Sequence, residues 1–380
     1  MRGAEYRAFG RQPVCFRRDR AGGPRNEVHY PGSSPGSDRQ SSVSPRLRGV
    51  IGLVITAILL WWVLRDVSPA EVWTELRAAN LWMMAGAVGL ATFSFVLRAI
   101  RWRVLLEPQH FGSNFDARFG ATCAGFAANN LFPARLGEFV RAYVLSIVAR
   151  VPLGGSIGSL VVERVLDGLV LAFFLFATIS LPSFPLGEGA TAELVQRTAV
   201  IGSLIFLTGF VLLWVAARRP VETVLLWDRT IGRLVPGRQA KRMQSLVTSF
   251  VRGLGALRNT GVFLRALAWS VTVWICLSAS IWLGLLAFNI SAPAFTGAIF
   301  IQTIIAFAVA APSTPGFFGV FEAASRLGLG IWDVPEAAIV SFATSYHILT
   351  FIPVTVLGLL YVRRIGLKWS DVSRRGGAES

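Results

Sequence analysis

The sequence has little that ordinary soluble-enzyme chemistry needs. Among its 380 residues are three Cys and three His. Cys15, Cys123 and Cys276 lie too far apart for a disulfide framework or a metal-ligand spacing, and His29, His110 and His347 are equally scattered. No metal or other cofactor is expected. Nucleotide-cradling loops, nucleophile elbows and zinc-protease motifs are absent, so no catalytic residue is assigned. Any energy requirement then falls on an ion gradient or on a lipid gradient. Acids are also scarce: 21 Asp and Glu stand against 37 Lys and Arg, a net charge of +16. Without a DNA- or RNA-binding motif, that excess points to membrane topology and anionic lipid rather than nucleic acid.

Apolar residues are abundant. They make up 53% of the chain, and the mean hydropathy is +0.57. That composition belongs to an all-α polytopic integral membrane protein. Residues 1–48, rich in Arg, Gly, Pro and Ser, are expected to be a disordered cytoplasmic tail. Arg17-Arg18 lacks the following apolar run that a twin-arginine signal requires. The membrane domain is expected over 49–364, with a C-terminal cytoplasmic tail over 365–380.

Apolar runs at 50–64, 81–97, 157–181, 198–217, 267–290 and 337–362 predict six full crossings. The second run ends in Arg98, Arg101, Trp102 and Arg103, which reads as an interfacial anchor. The N-terminal tail, 98–118, 218–265 and Arg363-Arg364 are basic, whereas 65–80, 182–196 and 291–293 are not. The positive-inside rule puts the basic segments and both termini in the cytoplasm. The 219–265 loop carries Met243, Leu246, Val247, Phe250, Val251, Leu254 and Leu257 at helical spacing. An amphipathic helix on the inner leaflet is the simplest account, with a docking helix for a partner as the alternative.

Two shorter apolar segments, 119–132 and 295–311, run into broken, charged stretches. The first stretch holds Asn130, Pro133, Arg135, Gly137, Glu138 and Arg141; the second holds Pro315, Gly316, Gly319 and Glu322. Helix breaks at membrane depth are tolerated only against protein or a wet cavity. Loop-charge parity returns each segment to the face it entered from, which predicts two re-entrant helical hairpins dipping from opposite sides. Span, hairpin, span then occurs twice with opposite orientation, an inverted-repeat transporter plan. The competing reading makes each segment one or two ordinary crossings.

The candidate substrate-binding residues follow from these breaks. Arg135, Glu138 and Arg141 share a face if that stretch is helical. Two guanidiniums suit bidentate phosphate recognition; a self-neutralised cluster is the plainer alternative. Glu163 and Asp167 lie at i,i+4 with Arg164 between them, and like charges on one face need a cation or a proton. Arg141 or Arg135 is the candidate cation. Glu322 is read as the outward counterpart of Glu138. Pro133, Gly137, Pro315, Gly316 and Gly319 are candidate hinges.

Taken in order, Asn130-x-x-Pro133-x-Arg135-x-Gly137-Glu138-x-x-Arg141, Glu163-Arg164-x-x-Asp167 and Pro312-x-x-Pro315-Gly316-x-x-Gly319-x-x-Glu322 resemble the lysylphosphatidylglycerol synthetase transmembrane-region family. Its members are also called flippase-like domain proteins. The resemblance covers roughly 46–364 and implies a multispanning domain of the bacterial inner membrane that moves a lipid or lipid-linked headgroup between leaflets. Such a lipid would have an anionic or zwitterionic headgroup. In the synthetases a soluble aminoacyl-transferase domain follows, whereas this sequence runs to Ser380 without one, so aminoacyl-lipid synthesis by this polypeptide is not expected. Two rivals are an intramembrane headgroup transferase and a non-transporting partner that docks a glycosyl- or aminoacyl-transferase.

Overall fold

The computed structural model describes residues 68–367 except 110–111, 133–135, 183, 186–189, 231–236, 291–293 and 311–314; for 190–196, 198–200, 203, 206, 228 and 237–242 it describes the backbone only. The expected run at 50–64, the N-terminal tail, the C-terminal tail beyond residue 367, Pro133 and Arg135 therefore lie outside the described residues.

Twelve α-helices form among the described residues. They are α1 Pro69–Ala78, α2 Leu81–Leu106, α3 Phe115–Leu131, α4 Gly137–Val148, α5 Leu153–Ile179 and α6 Ala190–Arg218. The second half holds α7 Pro220–Arg229, α8 Gly237–Gly253, α9 Thr260–Ala287, α10 Ala294–Ala310, α11 Val320–Leu329 and α12 Glu336–Arg364. Three starts are set by asparagine caps, which satisfy otherwise orphaned N–H groups. Asn80 accepts from Trp82 and Met83, Asn114 from Ala117 and Asn259 from Val262.

Among the described residues, three helices are long and apolar enough to cross a bilayer: α2 with its extension to Gln109, α9 and α12. At 27 residues α5 has the length as well, but it carries Glu163, Arg164 and Asp167 midway. By contrast α3, α4, α10 and α11 have 17, 12, 17 and 10 residues. At 1.5 Å per residue each falls short of the roughly 30 Å of hydrocarbon. They pair as two helical hairpins, α3 with α4 and α10 with α11.

The first hairpin closes at glycine. A Cβ on Gly137 would lie 2.2 Å from the Gly125 carbonyl oxygen, so only a bare Cα lets the two legs touch. The Gly137 N–H is received by Asn129 Oδ1 at 2.7 Å. In the second hairpin the turn into α11 relies on Gly316 and Gly319, at φ 68° and 82°. Both lie in the region that a side chain disfavours.

The long helices α2 and α9 run antiparallel. The Asn80 N–H reaches the Ala287 carbonyl, Ser280 Oγ the Ala87 carbonyl, and Arg101 Nη1 the Ser270 Oγ. One end of the bundle gathers basic groups: Arg265 meets Glu107, Arg364 meets Asp116, and Gln109 reaches the start of α5 at Gly155. The opposite end holds Phe184 against Phe300 and Trp332, with Arg326 paired to Glu336.

Two expectations change. The second apolar helix does not stop at an anchor before Arg98; it continues to Leu106, and Arg98, Arg101 and Trp102 are buried. Carboxylates on α5 make that burial possible. The stripe expected on the inner leaflet instead packs on protein, because α8 lies against the glycine-rich start of α5. A Cβ on Gly158 would meet the Phe250 carbonyl at 2.4 Å, and one on Gly154 the Leu246 carbonyl at 2.6 Å.

Candidate functional site

The centre of the site is a buried ion network where α2, α4, α5 and α9 converge. Glu163 is completely buried and receives three guanidiniums. Arg141 meets it with a fork, Nη1 to Oε1 at 2.5 Å and Nη2 to Oε2 at 3.1 Å. Arg101 Nη2 and Arg164 Nη2 each lie 3.0 Å from Oε1. One turn along α5, Asp167 accepts from both terminal nitrogens of Arg101 and from Trp274 Nε1 at 3.0 Å. Arg141 also rests over the Trp102 ring, Cζ to centroid 4.1 Å, and Trp102 Nε1 donates to Ser159. The repulsion between the two α5 carboxylates is thus relieved by cations from neighbouring helices.

Beside this network lies a cavity of about 320 Å³. Its polar wall carries Arg98, Arg164, Asp167, Glu138, Asn130 and His347; Phe126, Leu171 and Trp274 give it apolar surface. Volume and lining fall within the range of small-molecule sites. Arg98 is 5% exposed and Arg164 about a third exposed at its side chain. Asn130 ties α3 to α12 through Thr355 Oγ1 at 2.8 Å.

The second hairpin lines the cavity directly with Gln302, Phe317 and Phe321, and its buried carboxylate Glu322 is joined to it through His347. Glu322 is 2% exposed; one carboxylate oxygen receives the Gly319 N–H at 2.7 Å at the start of α11. The other lies 2.8 Å from His347 Nδ1 on α12. Phe318 and Phe321 flank that imidazole at 4.7 and 4.5 Å between centroids.

Of the residues singled out in the sequence, Glu138, Arg164, Asp167 and Asn130 line the cavity. Arg141 and Glu163 sit behind the wall as a buried pair, and Glu322 reaches the cavity through His347. Arg141 takes its carboxylate from α5 rather than from Glu138 on its own helix. Gly137, Gly316 and Gly319 stand at the hairpin turns and Pro315 opens the turn before α11. Reading by sequence missed Arg98 and Arg101. Their i,i+3 spacing inside an apolar run, with two acids at i,i+4 in a later run, was the available signal.

A model of the lysylphosphatidylglycerol synthase transmembrane region matches residues 49–358. The chain belongs to that family. It is a multi-pass membrane protein. Relatives include a UPF0104 membrane protein of Methanocaldococcus jannaschii, 24% identical over 346 residues, 87% of this chain and 98% of that one. Another UPF0104 membrane protein, of Methanothermobacter thermautotrophicus, is 22% identical across 85% of this chain and 97% of its own. Glycosyltransferase AglD of Haloferax volcanii is 26% identical over 336 residues, 81% of this chain. The match spans about half of that glycosyltransferase, 53% of its length.

Proposed function

We propose that this family member moves a lipid, or a lipid-linked headgroup, from one leaflet to the other without a covalent step. The cavity between the two hairpins carries the reading: a polar wall with buried Arg98 and half-buried Arg164, an apolar remainder, and helix breaks on both sides. Charged groups at bilayer depth are costly and are typically kept where a polar cargo passes. The headgroup would lie against the arginines while the acyl chains stay towards the apolar wall.

Six full crossings and two opposed re-entrant hairpins complete the proposal, with both termini in the cytoplasm. Long helix, hairpin, long helix occurs twice, as α2 to α5 and as α9 to α12. The contacts correspond under exchange of the halves: α3 packs on α12 as α10 packs on α5, and α4 on α5 as α11 on α12. The corresponding helices α2 and α9 are antiparallel. A two-fold relating antiparallel helices runs across them, in the membrane plane, which favours an inverted repeat. The short hairpin legs favour re-entry over crossing.

One observation favours a second reading. The relative named a glycosyltransferase matches this chain over about half its length, which suits a membrane region working beside a transferase. Reconstitution of this chain alone separates the two: leaflet-to-leaflet movement of labelled lipid supports translocation, whereas movement only with an added transferase supports the partner role.

A further inference from the structure

We propose that Arg98 is the group that grips the cargo's oxyanion, and that the ligand class is a singly charged oxyanion such as a phosphodiester. The inference rests on the translocation reading only for its biological setting.

Among the four clustered arginines, Arg98 is set apart. Arg101 and Arg141 have their terminal nitrogens on Asp167 and Glu163, and Arg164 donates to Glu163. Each of the four leaves its Nε without an acceptor among the described residues, but Arg98, itself buried, also leaves Nη1 without one. Its nearest carboxylate oxygen is Asp167 Oδ2, 4.0 Å from Nη1 and already accepting from Arg101. That separation is too long for a hydrogen bond.

The side chain is held in place all the same. Its Cζ lies 5.2 Å from the Phe126 ring centre and 5.6 Å from that of Trp274, and both rings line the same cavity. Aromatic faces orient a guanidinium without using its N–H groups. The result is a fixed, desolvated cation facing a cavity with donors free. Leaving such a group unmatched is costly, so a resting structural role explains it poorly. The two non-bridging oxygens of a phosphodiester are acceptors of the kind this guanidinium lacks.

The charge balance indicates how much negative charge the wall takes. Four guanidiniums (Arg98, Arg101, Arg141, Arg164) face three carboxylates (Glu138, Glu163, Asp167), leaving one positive charge over. Across the cavity Glu322 is held by His347 and the Gly319 N–H. The surplus on this wall, one positive charge among the described residues with Glu322 and His347 counted apart, suits a singly charged group such as a phosphodiester.

The test uses the full chain in maltoside micelles, which carry no phosphate. Dissociation constants are measured for dihexanoyl phosphatidylglycerol and for dimethyl phosphate, with unfolding midpoints for each variant. Wild type should bind the lipid, and Arg98→Gln should weaken it by about tenfold or more, with Arg98→Lys in between. Competition by dimethyl phosphate would assign the bare phosphodiester; binding of the lipid alone would assign the headgroup with its glycerol backbone. The unfolding midpoint of Arg98→Gln should stay at or above wild type, whereas that of Arg101→Gln falls. Unchanged lipid affinity in Arg98→Gln, no binding by wild type, or an Arg98→Gln midpoint that drops like that of Arg101→Gln (failure to fold included) overturns the assignment. Binding that depends on Arg98 in a protein that moves no lipid would sink translocation and leave the anion site standing.

Discussion

Arg141 on α4 and Glu163 on α5 meet through two parallel hydrogen bonds, 2.5 and 3.1 Å long, with both side chains almost fully buried. The pair locks the returning leg of the first hairpin onto the helix that carries the ion network. It also leaves the Arg141 fork occupied, so the proposed cargo contact falls to Arg98 and Arg164 on the cavity wall.

Because Glu163 serves three arginines, its loss should be worse than the loss of any one of them. Glu163→Gln is expected to destabilise by about 3–5 kcal/mol, the usual cost of stranding buried charge. Arg141→Met should cost less, since Arg101 and Arg164 still reach Glu163. The Arg141→Met/Glu163→Gln double variant should lose less than the sum of the two single losses, as coupled partners do. Thermal unfolding in detergent measures all three; additive losses would mean that the pair is not coupled.

Close backbone contact at the first hairpin makes Gly137→Ala damaging, because the new methyl group would meet the Gly125 carbonyl and Asn129. Gly202→Ala and Gly209→Ala on α6 have nothing within 4 Å and should be neutral or slightly stabilising, by up to about 1 kcal/mol. Folded yield on size-exclusion chromatography reads the contrast. Equal behaviour of Gly137→Ala and Gly209→Ala would rule out the tight closure.

The proposed orientation rests on where the charges gather. In a background with the native cysteines replaced by Ser, Ser180→Cys and Asn289→Cys should react with an impermeant thiol reagent added outside intact cells. Thr260→Cys, at the basic end beside Arg258, should react only after permeabilisation. The reverse pattern would invert the protein.

The hairpins should act as opposed gates. Glu138→Gln and Glu322→Gln are each expected to slow transport and to shift exposure towards opposite faces, as rocking inverted repeats do. Cysteines at Leu131 and Ala310, exposed near the ends of α3 and α10, report the shift. A shift in the same direction in both variants, or none while transport persists, would end the two-gate scheme.

Much of the helix plan was legible because apolar runs are local signals. The runs at 157–181, 267–290 and 337–362 correspond to α5, α9 and α12 with boundaries a few residues apart. The breaks at Gly137 and Gly316 were legible too, since a helix cannot easily run through them. Arg98 and Arg101 were misread for a physical reason: an arginine beside an apolar run looks like an anchor until its carboxylate is found, and Asp167 is 66 positions from Arg101. The α8 stripe was misread likewise. An amphipathic face fits lipid or protein equally, and only the bare glycines of α5 decide between them. His347 gained its place by tertiary contact alone, since Glu322 lies on another helix.

Translocation itself is tested most directly with the purified chain in phosphatidylcholine vesicles holding a trace of headgroup-labelled fluorescent phosphatidylglycerol. Dithionite, which does not cross the bilayer, bleaches only label in the outer leaflet. The expected result is that wild type extends bleaching to the inner-leaflet pool, and that Arg164→Gln does so more slowly at equal protein content. Bleaching that stops at the outer leaflet with correctly folded wild type, as in protein-free vesicles, would contradict the proposal that this chain moves such a lipid by itself.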